Sequence, residues 1–342
     1  MIIRRHSEGY NFYGNTETGH TLRWGDSLRD NPVCAPWPEL ADISISNHCS
    51  KECDFCYRDS SKNNSFMTVK QYDHVLSSLI SEKWGPVFQV ALGGGEPLEH
   101  PDFQDIIMKT CEKGIVANFT TNGMYVDKKI AAFLKGKIGA VAVSAKSVEG
   151  LDTDKIGILS GAGIKTNVHY ILDKESIKEA VDILNGKYNK VFRNVNGLIF
   201  LTYKPKGRAP ADKCLDIDDD LEEFLGLIDN NKCSAHIGFD ACFVPALMRY
   251  TDVNVDFVDS CECGFFSVYI DECMNVRPCS FSDKDRFSYN LDEFDMRTIW
   301  EEKYAVYRDE ILKGECSNEE CKNIENCRGK CIYFDELAFC YR

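Results

Sequence analysis

The chain has 342 residues, a net charge of −14 and an apolar fraction of 44%. This length fits one large α/β domain and one smaller domain, and the negative charge argues against nucleic acid or an anionic membrane as a partner. We find no signal peptide and no apolar run long enough to cross a bilayer, so we expect a cytoplasmic protein.

Residues 1–40 are predicted to form an N-terminal extension with one possible β-hairpin, in which 10–13 and 20–24 flank a turn. From residue 41 onward, short apolar runs alternate with helical periodicity, which is typical of βα units with parallel strands. Six strands are predicted, at 42–46, 88–92, 115–120, 140–144, 165–172 and 197–203.

The predicted helices lie between these strands. Thr68 and Gln71 form a capping box at the start of the first helix, and Phe103, Ile106, Ile107 and Cys111 share one face of the second. Further helices are expected near 126–135, 174–185 and 218–230, with only a short one in the polar, glycine-rich connection 145–162. Six units are too few to close an eight-stranded barrel, so residues 41–234 are predicted to form a partial (β/α)6 TIM-like barrel.

Seventeen cysteines occur in the chain, and they cluster at 49–56, 261–279 and 316–340. In a reducing cytosol, metal or redox chemistry explains them better than disulfides. The alternation of strands and helices stops after Asn231. Residues 235–342 are therefore predicted to be a second, cysteine-rich domain with one strong helix at 298–312.

Three cysteines, Cys49, Cys53 and Cys56, follow the first predicted strand directly and so lie at the carboxyl end of the barrel, where barrels carry their chemistry. Their spacing lets one loop hold three irons of a 4Fe-4S cubane and leaves the fourth iron open. A zinc site that includes His48 is one alternative, and a disulfide loop or three unrelated thiols is another.

This spacing, with Phe55 just before the last cysteine, resembles the signature of the radical S-adenosylmethionine (SAM) superfamily. The resemblance implies that the open iron chelates the methionine part of SAM and that one electron from the cluster breaks its carbon–sulfur bond. Tyr57 stands where this family often packs an aromatic ring near the adenine.

A second match is the run Gly94-Gly95-Glu96 within GGGEP, at the end of the second predicted strand. Glycines permit close backbone approach, and a carboxylate accepts hydrogen bonds from an ammonium group. The run resembles the family's motif for the methionine amino group; read without the resemblance, it is a tight strand-to-helix turn.

Weaker matches follow the order of the barrel. Ser144 and Asn167 occupy positions where relatives contact ribose or carboxylate, although ordinary hydrogen bonding at strand ends is the alternative. Arg208 lies in a Gly-Arg-Ala run after the sixth strand that also resembles the family. The run 144–147 departs from the family's usual pattern.

The C-terminal cysteines resemble the SPASM domain of peptide-modifying radical SAM enzymes, although Met274 stands where that pattern usually has glycine. The resemblance implies two fully ligated auxiliary clusters and three 4Fe-4S clusters in total; structural zinc at one site is the alternative. The implied ligands of the two auxiliary clusters are Cys261, Cys263, Cys279 and Cys331 for one, and Cys316, Cys321, Cys327 and Cys340 for the other.

The resemblance further implies a function. A 5′-deoxyadenosyl radical would abstract hydrogen from a residue of a peptide, and an auxiliary cluster would oxidise the product radical to give a crosslink or another modification. An external one-electron donor of flavodoxin or ferredoxin type is expected, and a leader peptide would need residues 1–40 or a separate protein to hold it.

Three other functions stay open: a maturase of a folded protein such as a sulfatase, a small-molecule dehydrogenase or epimerase, and an iron-sulfur electron-transfer or scaffold protein. Candidates for a proton acceptor or a substrate-holding residue are Tyr203, Lys204, Asp240 and Cys242, all near the mouth of the barrel.

Overall fold

The computed structural model describes residues 1–254, 258–282, 286–313 and 331–340. The strands in this part of the chain are β1 Ile2–Ser7, β2 Tyr10–Asn15, β3 Thr21–Trp24, β4 Leu40–Ser46, β5 Ile80–Ser81, β6 Gly85–Pro86, β7 Gln89–Gly94, β8 Val116–Thr121, β9 Ile138–Ala145, β10 Lys165–Leu172, β11 Gly197–Thr202, β12 His236–Phe239, β13 Ser267–Ile270, β14 Asn275–Arg277 and β15 Tyr289–Asn290.

The α-helices are α1 Val69–Ser78, α2 Phe103–Glu112, α3 Lys128–Leu134, α4 Thr153–Gly161, α5 Ile177–Leu184, α6 Asn189–Phe192, α7 Asp219–Ile228, α8 Val244–Tyr250 and α9 Tyr304–Leu312. The predicted capping box is present, since Thr68 and Gln71 exchange hydrogen bonds at the start of α1. The helix predicted over 298–312 begins with a π-helical turn, Thr298–Lys303, before α9. None of the helices in the described ranges has the length and apolar character needed to cross a membrane.

Ten strands form one sheet in the order β12-β11-β10-β9-β8-β7-β4-β13-β14-β15. The six predicted strands are confirmed as β4, β7, β8, β9, β10 and β11, and each pairs in parallel with its neighbour. Together with the helices that connect them, they form the predicted partial α/β barrel.

Strands outside the six extend this sheet at both ends. β12 adds in parallel to β11, and β13 adds in parallel to β4 with Tyr269 opposite Asp42. β13 also pairs with β14 as an antiparallel hairpin. The sheet thus runs across residue 235, and the division of the chain at that residue stays a prediction.

The N-terminal segment forms a separate three-stranded antiparallel sheet in the order β1-β2-β3. Tyr13 pairs with Leu22 in the predicted hairpin, and β1 was not expected. Tyr10 and Phe12 of β2 are buried in the main hydrophobic core, so this sheet packs against the barrel.

Side chains alternate along the barrel strands between a buried outer face and a partly accessible inner face. In β10, Val168, Tyr170 and Leu172 are buried, whereas Asn167 and His169 are partly accessible. The outer residues form the core beneath the helices. The inner residues line the interior of the barrel, where burial lowers the pKa of His169 to about 4, which keeps its imidazole neutral at pH 7.

The two ends of the ten-stranded sheet approach each other. Lys206, in the loop after β11, donates from Nζ to the backbone oxygens of Phe281 (2.5 Å) and Ser282 (2.7 Å), which follow β14. Residues 279–282 therefore lie across the opening of the partial barrel.

Candidate active site

Residues 47–61, here called the cysteine loop, follow β4 at the carboxyl edge of the parallel strands. Backbone hydrogen bonds hold the loop together, among them those from Cys49 N to Ser61 O (3.1 Å) and from Cys56 N to Cys53 O (3.3 Å). The three thiols of the loop are partly accessible, as ligands of a cofactor must be.

Backbone N–H groups point at these thiols. Ser60 N donates to Cys56 Sγ at 3.4 Å, and the N–H groups of Lys51 and Glu52 donate to Cys49. Burial raises the pKa of the Cys49 thiol, and these two donors partly offset that effect. Because N–H donors favour the thiolate, which is the form that binds metal, the loop fits an iron-sulfur cluster.

The zinc alternative would need His48 beside the thiols. Instead, His48 stacks on Phe66 with ring centres 4.7 Å apart, and its Nε2 lies 2.9 Å from Glu99 Oε2. In the described ranges, no three His, Cys, Asp or Glu side chains surround a point as the ligands of a single ion do. A cubane binds each thiolate at a different iron, so its ligands do not need to converge in that way.

The glycine run after β7 packs directly on the backbone that leads into the cysteine loop. Gly95 N donates to Ser46 O at 2.6 Å, and Glu96 N donates to His48 O at 2.8 Å. A Cβ atom at Gly94 would lie 2.0 Å from Ser46 O, and one at Gly95 would lie 1.9 Å from His48 O. Glycine is therefore required at both positions by this close backbone approach.

The Glu96 carboxylate is buried and accepts three hydrogen bonds. Thr121 Oγ1 (2.7 Å) and Leu98 N (3.0 Å) donate to Oε1, and Asn122 N (2.7 Å) donates to Oε2. Burial raises the pKa of Glu96, and the three donors partly counter this shift. The neighbouring Asn122 Nδ2 is a buried donor with no partner in the described part of the chain, which fits an acceptor group of a bound cofactor at this edge.

Arg208 binds the cysteine loop itself. Its guanidinium donates from Nε to Cys53 O (2.9 Å), from Nη1 to Asp59 Oδ1 (2.7 Å) and from Nη2 to Ser60 O (2.8 Å). Gly207 has a φ of +66°, and a Cβ there would lie 2.5 Å from Cys56 O. The structure thus places Arg208 as a clamp on the loop that carries the predicted ligands.

Tyr57 stacks on Phe281, with ring centres 4.4 Å apart and 28° between the planes. The Tyr57 hydroxyl is hydrogen-bonded to Ser280, and burial raises the pKa of the phenol. The ring that stacks on Tyr57 thus belongs to residues 279–282, which follow β14.

Phe55 packs in a small cluster with Tyr203, Ala209 and Cys214. Lys146 Nζ lies 5.2 Å from the centre of the Phe55 ring, a contact that no sequence motif indicated. Tyr203 donates its hydroxyl hydrogen to Pro210 O at 3.0 Å, and burial raises its pKa to about 12.

Ser144 and Asn167 lie at different depths of the barrel. Ser144 is the last but one residue of β9, at the carboxyl edge of the parallel strands. Asn167 is near the amino end of β10, where its Oδ1 accepts from Asn196 Nδ2 at 2.9 Å. The structure therefore does not bring Asn167 together with the other predicted cofactor-binding residues.

The second cysteine set, Cys261, Cys263, Cys279 and Cys331, is brought together by the fold. The Cys263 thiol forms side-chain hydrogen bonds with Cys261 and Cys279, and these contacts raise its pKa well above the usual range. Cys331 lies close enough for its charge to interact with those of Cys261 and Cys279. Cys316, Cys321 and Cys327 lie outside the described residues, so of the other predicted set only Cys340 is described.

N–H groups point at these thiols as well. Phe281 N donates to Cys279 Sγ at 3.4 Å, and the N–H groups of Tyr333 and Phe334 donate to Cys331. Cys242 is buried nearby, and the charges of Cys261 and Cys279 act on its thiol. This set of thiols fits a fully ligated cluster.

Lys204 and Asp240 form an ion pair between the barrel and the second cysteine set. Lys204 Nζ lies 2.6 Å from Asp240 Oδ2, and Thr202 Oγ1 donates to Asp240 Oδ1 at 2.7 Å. The Lys204 ammonium is also 4.7 Å from the centre of the Phe281 ring, and its charge interacts with the Cys242 and Cys279 thiols.

The model of the Radical SAM superfamily matches residues 43–187, which run from β4 through α5. Over its wider length the chain is similar to the mycofactocin maturase MftC of Mycobacterium ulcerans (strain Agy99). The two are 22% identical over 327 residues, which cover 89% of this chain and 84% of that protein.

Among solved structures, the chain is similar to Streptococcus suis SuiB bound to S-adenosylmethionine, with a TM-score of 0.72 at 15% identity and coverage of 96% of this chain and 94% of SuiB. SuiB bound to its precursor peptide SuiA aligns with a TM-score of 0.71 over the same shares at 15% identity. Native anSMEcpe with bound AdoMet gives a TM-score of 0.62 at 18% identity, with 86% of this chain and 89% of that chain covered. These alignments extend the similarity of fold beyond the barrel to nearly the whole chain.

Proposed function

We propose that the chain, whose residues 43–187 match the model of the Radical SAM superfamily, is a peptide-modifying radical SAM maturase. It cleaves SAM reductively, abstracts hydrogen from a residue of a ribosomally made peptide and oxidises the product radical through an auxiliary cluster. The product is a crosslink or another oxidative modification. The observation that carries this proposal is the packing of the cysteine loop on the Gly94–Gly95 backbone at the carboxyl edge of the barrel.

The chain's own residues prepare this edge for the cofactor. Cys49, Cys53 and Cys56 would hold the cluster, and Arg208 fixes the loop in place through the backbone of Cys53 and Ser60. When bound, the 4Fe-4S cluster and SAM supply the 5′-deoxyadenosyl radical. Glu96 accepts hydrogen bonds from Leu98, Thr121 and Asn122, and these bonds order the backbone next to the cysteine loop.

Two features support a peptide substrate. The inner faces of β10 and β11 are partly accessible, and among the relatives one is named a mycofactocin maturase and another was solved bound to its precursor peptide. The barrel's further task is to exclude water and stray hydrogen donors from the radical. Ser144, at the same edge as the cysteine loop, is our candidate for contact with SAM.

The second cysteine set supports an oxidising step. We propose that Cys261, Cys263, Cys279 and Cys331 hold one auxiliary cluster and that Cys316, Cys321, Cys327 and Cys340 hold another, for three 4Fe-4S clusters in all. A fully ligated cluster has no vacant iron for substrate, and its role is electron transfer. Asp240, beside this set, is our candidate for the group that accepts the substrate proton.

Two partners follow from this proposal. The first electron must come from an external one-electron donor of flavodoxin or ferredoxin type. A leader peptide, if the substrate has one, is held by residues 1–40 or by a separate protein. Location in the cytoplasm, where such donors are found, stays a prediction.

Anaerobic reconstitution with iron and sulfide, followed by dithionite and SAM, tests the first step. The expected product is 5′-deoxyadenosine, detected by chromatography, and Cys53→Ala is expected to abolish it. Cys111→Ala is the matched control, because this half-buried thiol lies on α2 with Sγ 3.3 Å from Lys137 O, away from both cysteine sets. A wild-type protein with full iron content that yields no 5′-deoxyadenosine would contradict the proposal.

The peptide is tested separately. Short open reading frames next to the gene are translated, incubated with the reduced enzyme and analysed by mass spectrometry. The expected result is a product two hydrogen masses lighter, formed only in the presence of SAM. If such peptides stay unmodified while a small-molecule or folded-protein substrate is converted, the peptide assignment is wrong.

A further inference from the structure

We infer that the stacked rings of Tyr57 and Phe281 are the electron-transfer contact between the cysteine loop and the second cysteine set. This inference rests on the proposed function and deepens it. It assigns the return of an electron toward the SAM-cleaving site to two side chains that are far apart in the sequence.

The contact is close and directed. The rings are 4.4 Å apart between centres and tilted by only 28°, so their faces overlap, and the Tyr57 hydroxyl is hydrogen-bonded to Ser280. Electron tunnelling decays steeply with distance through empty space and less steeply through packed atoms. Two stacked conjugated rings with a hydrogen bond beside them provide such a packed route.

Each ring is also tied to a predicted cluster ligand. Tyr57 is bonded in sequence to Cys56. Phe281 lies two residues after Cys279, and its N–H donates to Cys279 Sγ at 3.4 Å. The route from thiol to thiol therefore consists of covalent bonds, one N–H···S hydrogen bond and one ring stack.

Phe281 is held firmly in this position. Lys206 Nζ donates to the backbone oxygen of Phe281, and Lys204 Nζ lies 4.7 Å from its ring centre. Phe334, whose N–H donates to Cys331, meets the Phe281 ring edge to face at 6.3 Å. These contacts fix the position of the Phe281 ring against Tyr57.

The product radical of the substrate would lose one electron to the cluster held by the second cysteine set, and its proton would leave separately to a base. That electron then passes through Phe281 and Tyr57 and reduces the cluster of the cysteine loop, while the cluster of the second set is reoxidised. The external donor is then needed to start the cycle and not for each turnover.

The test uses the reconstituted holoenzyme and SAM alone as the probe. The enzyme is reduced with dithionite, freed of excess reductant, mixed with SAM and frozen at successive times for EPR. SAM accepts electrons from the cysteine-loop cluster and breaks its carbon–sulfur bond. The EPR signal of the reduced second cluster is expected to decay as its electron refills the first.

The informative variants are Phe281→Leu and Tyr57→Leu, which keep apolar volume and remove the stack from either side. Both are expected to slow the decay of the second-cluster signal several-fold at unchanged iron content. Tyr57→Phe keeps the ring, so in this variant the second-cluster signal is expected to decay at close to the wild-type rate. Phe66→Leu is the matched control, because it removes a ring stacked beside the cysteine loop, on His48, that does not face Phe281.

The outcomes separate the two proposals. If the wild type makes no 5′-deoxyadenosine, the proposed function itself fails. If the wild type cleaves SAM and the second-cluster signal decays as fast in both leucine variants, the inference is overturned. Equal slowing in Phe66→Leu also overturns it. Should Phe281→Leu lose iron at the second site, Tyr57→Leu answers the same question from the other side.

Discussion

Lys204 and Asp240 form a buried ion pair, with Nζ and Oδ2 2.6 Å apart and the lysine side chain only 5% exposed. The pair joins the loop after β11 to the end of β12, and Asp240 also accepts from Thr202. Removal of one partner leaves a buried charge without compensation, which costs about 3–5 kcal/mol.

We therefore expect Lys204→Met to lower the free energy of unfolding by that amount, and Lys204→Met with Asp240→Leu to lower it by much less. Chemical denaturation of the apoprotein measures both. Lys174→Met is the matched control, since its pair with Asp216, also at 2.6 Å, is exposed and screened by water, so its loss is expected to change the stability little. A double variant as unstable as the single one would contradict this account.

Gly95 has no room for a side chain, whereas Gly157 does. Gly95→Ala places a Cβ 1.9 Å from His48 O and is expected to cost about 3 kcal/mol or more and to lower iron retention. Gly157 lies in α4 with no atom within 4 Å of an added Cβ, so Gly157→Ala is expected to stabilise the protein by about 0.5–1 kcal/mol. Urea unfolding and iron analysis check the pair, and equal effects of the two substitutions would refute the packing argument.

Arg208→Lys tests the clamp on the cysteine loop. A lysine cannot reproduce donation from three guanidinium nitrogens to Cys53 O, Asp59 and Ser60 O, so a loss of about 1–3 kcal/mol and a faster loss of iron to a chelator are expected. Arg297→Lys, in an exposed pair with Glu301, is the control and is expected to behave like the wild type. Iron release that is unchanged in Arg208→Lys would show that the clamp is dispensable.

Asp42 is expected to make the free energy of unfolding depend on pH. It lies on β4 near Arg58, and burial raises its pKa to about 7, an effect that Arg58 only partly offsets. Between about pH 4 and pH 7 the folded state thus binds more protons than the unfolded state, so the free energy of unfolding falls as the pH rises. Asp42→Asn is expected to flatten this slope and to be more stable than the wild type at pH 8 by up to about 4 kcal/mol.

Unfolding of the apoprotein at pH 5 and pH 8 measures this difference. Asp295 serves as the contrasting control, because hydrogen bonds from Thr298 lower its pKa and its contribution is lost as the pH falls. If wild type and Asp42→Asn show the same slope, Asp42 is not the group responsible.

Local pattern was enough to predict most of the barrel. Short apolar runs and helical faces identified the six strands and the capping box at Thr68, because each signal lies within a short stretch of sequence. Cys261, Cys263, Cys279 and Cys331 were grouped by a family pattern, and the fold brings them together.

Contacts between residues that are far apart in the sequence could not be predicted in this way. Nothing local to Ser267–Ile270 shows that it pairs with Leu40–Ser46, and the stack of Tyr57 on Phe281 depends on the closure of the whole sheet. Asn167 was grouped with cofactor contacts by its resemblance to a family position, whereas the structure places it near the amino end of β10, which begins at Lys165 as predicted. At Met274, where glycine was expected, the turn is made with φ +64° by a residue whose side chain is buried.

Because β13 pairs in parallel with β4, the solubility of the N-terminal half of the molecule depends on the C-terminal half. A fragment that ends at residue 234 would lack both β12 and β13. The strands β11 and β4 would then become edge strands with unpaired backbone N–H and C=O groups exposed to solvent. Edge strands of this kind pair with the strands of other chains and so promote aggregation. The radical-generating half is thus expected to be insoluble when expressed alone, and loss of the C-terminal half in a degraded sample would be followed by precipitation of the remainder.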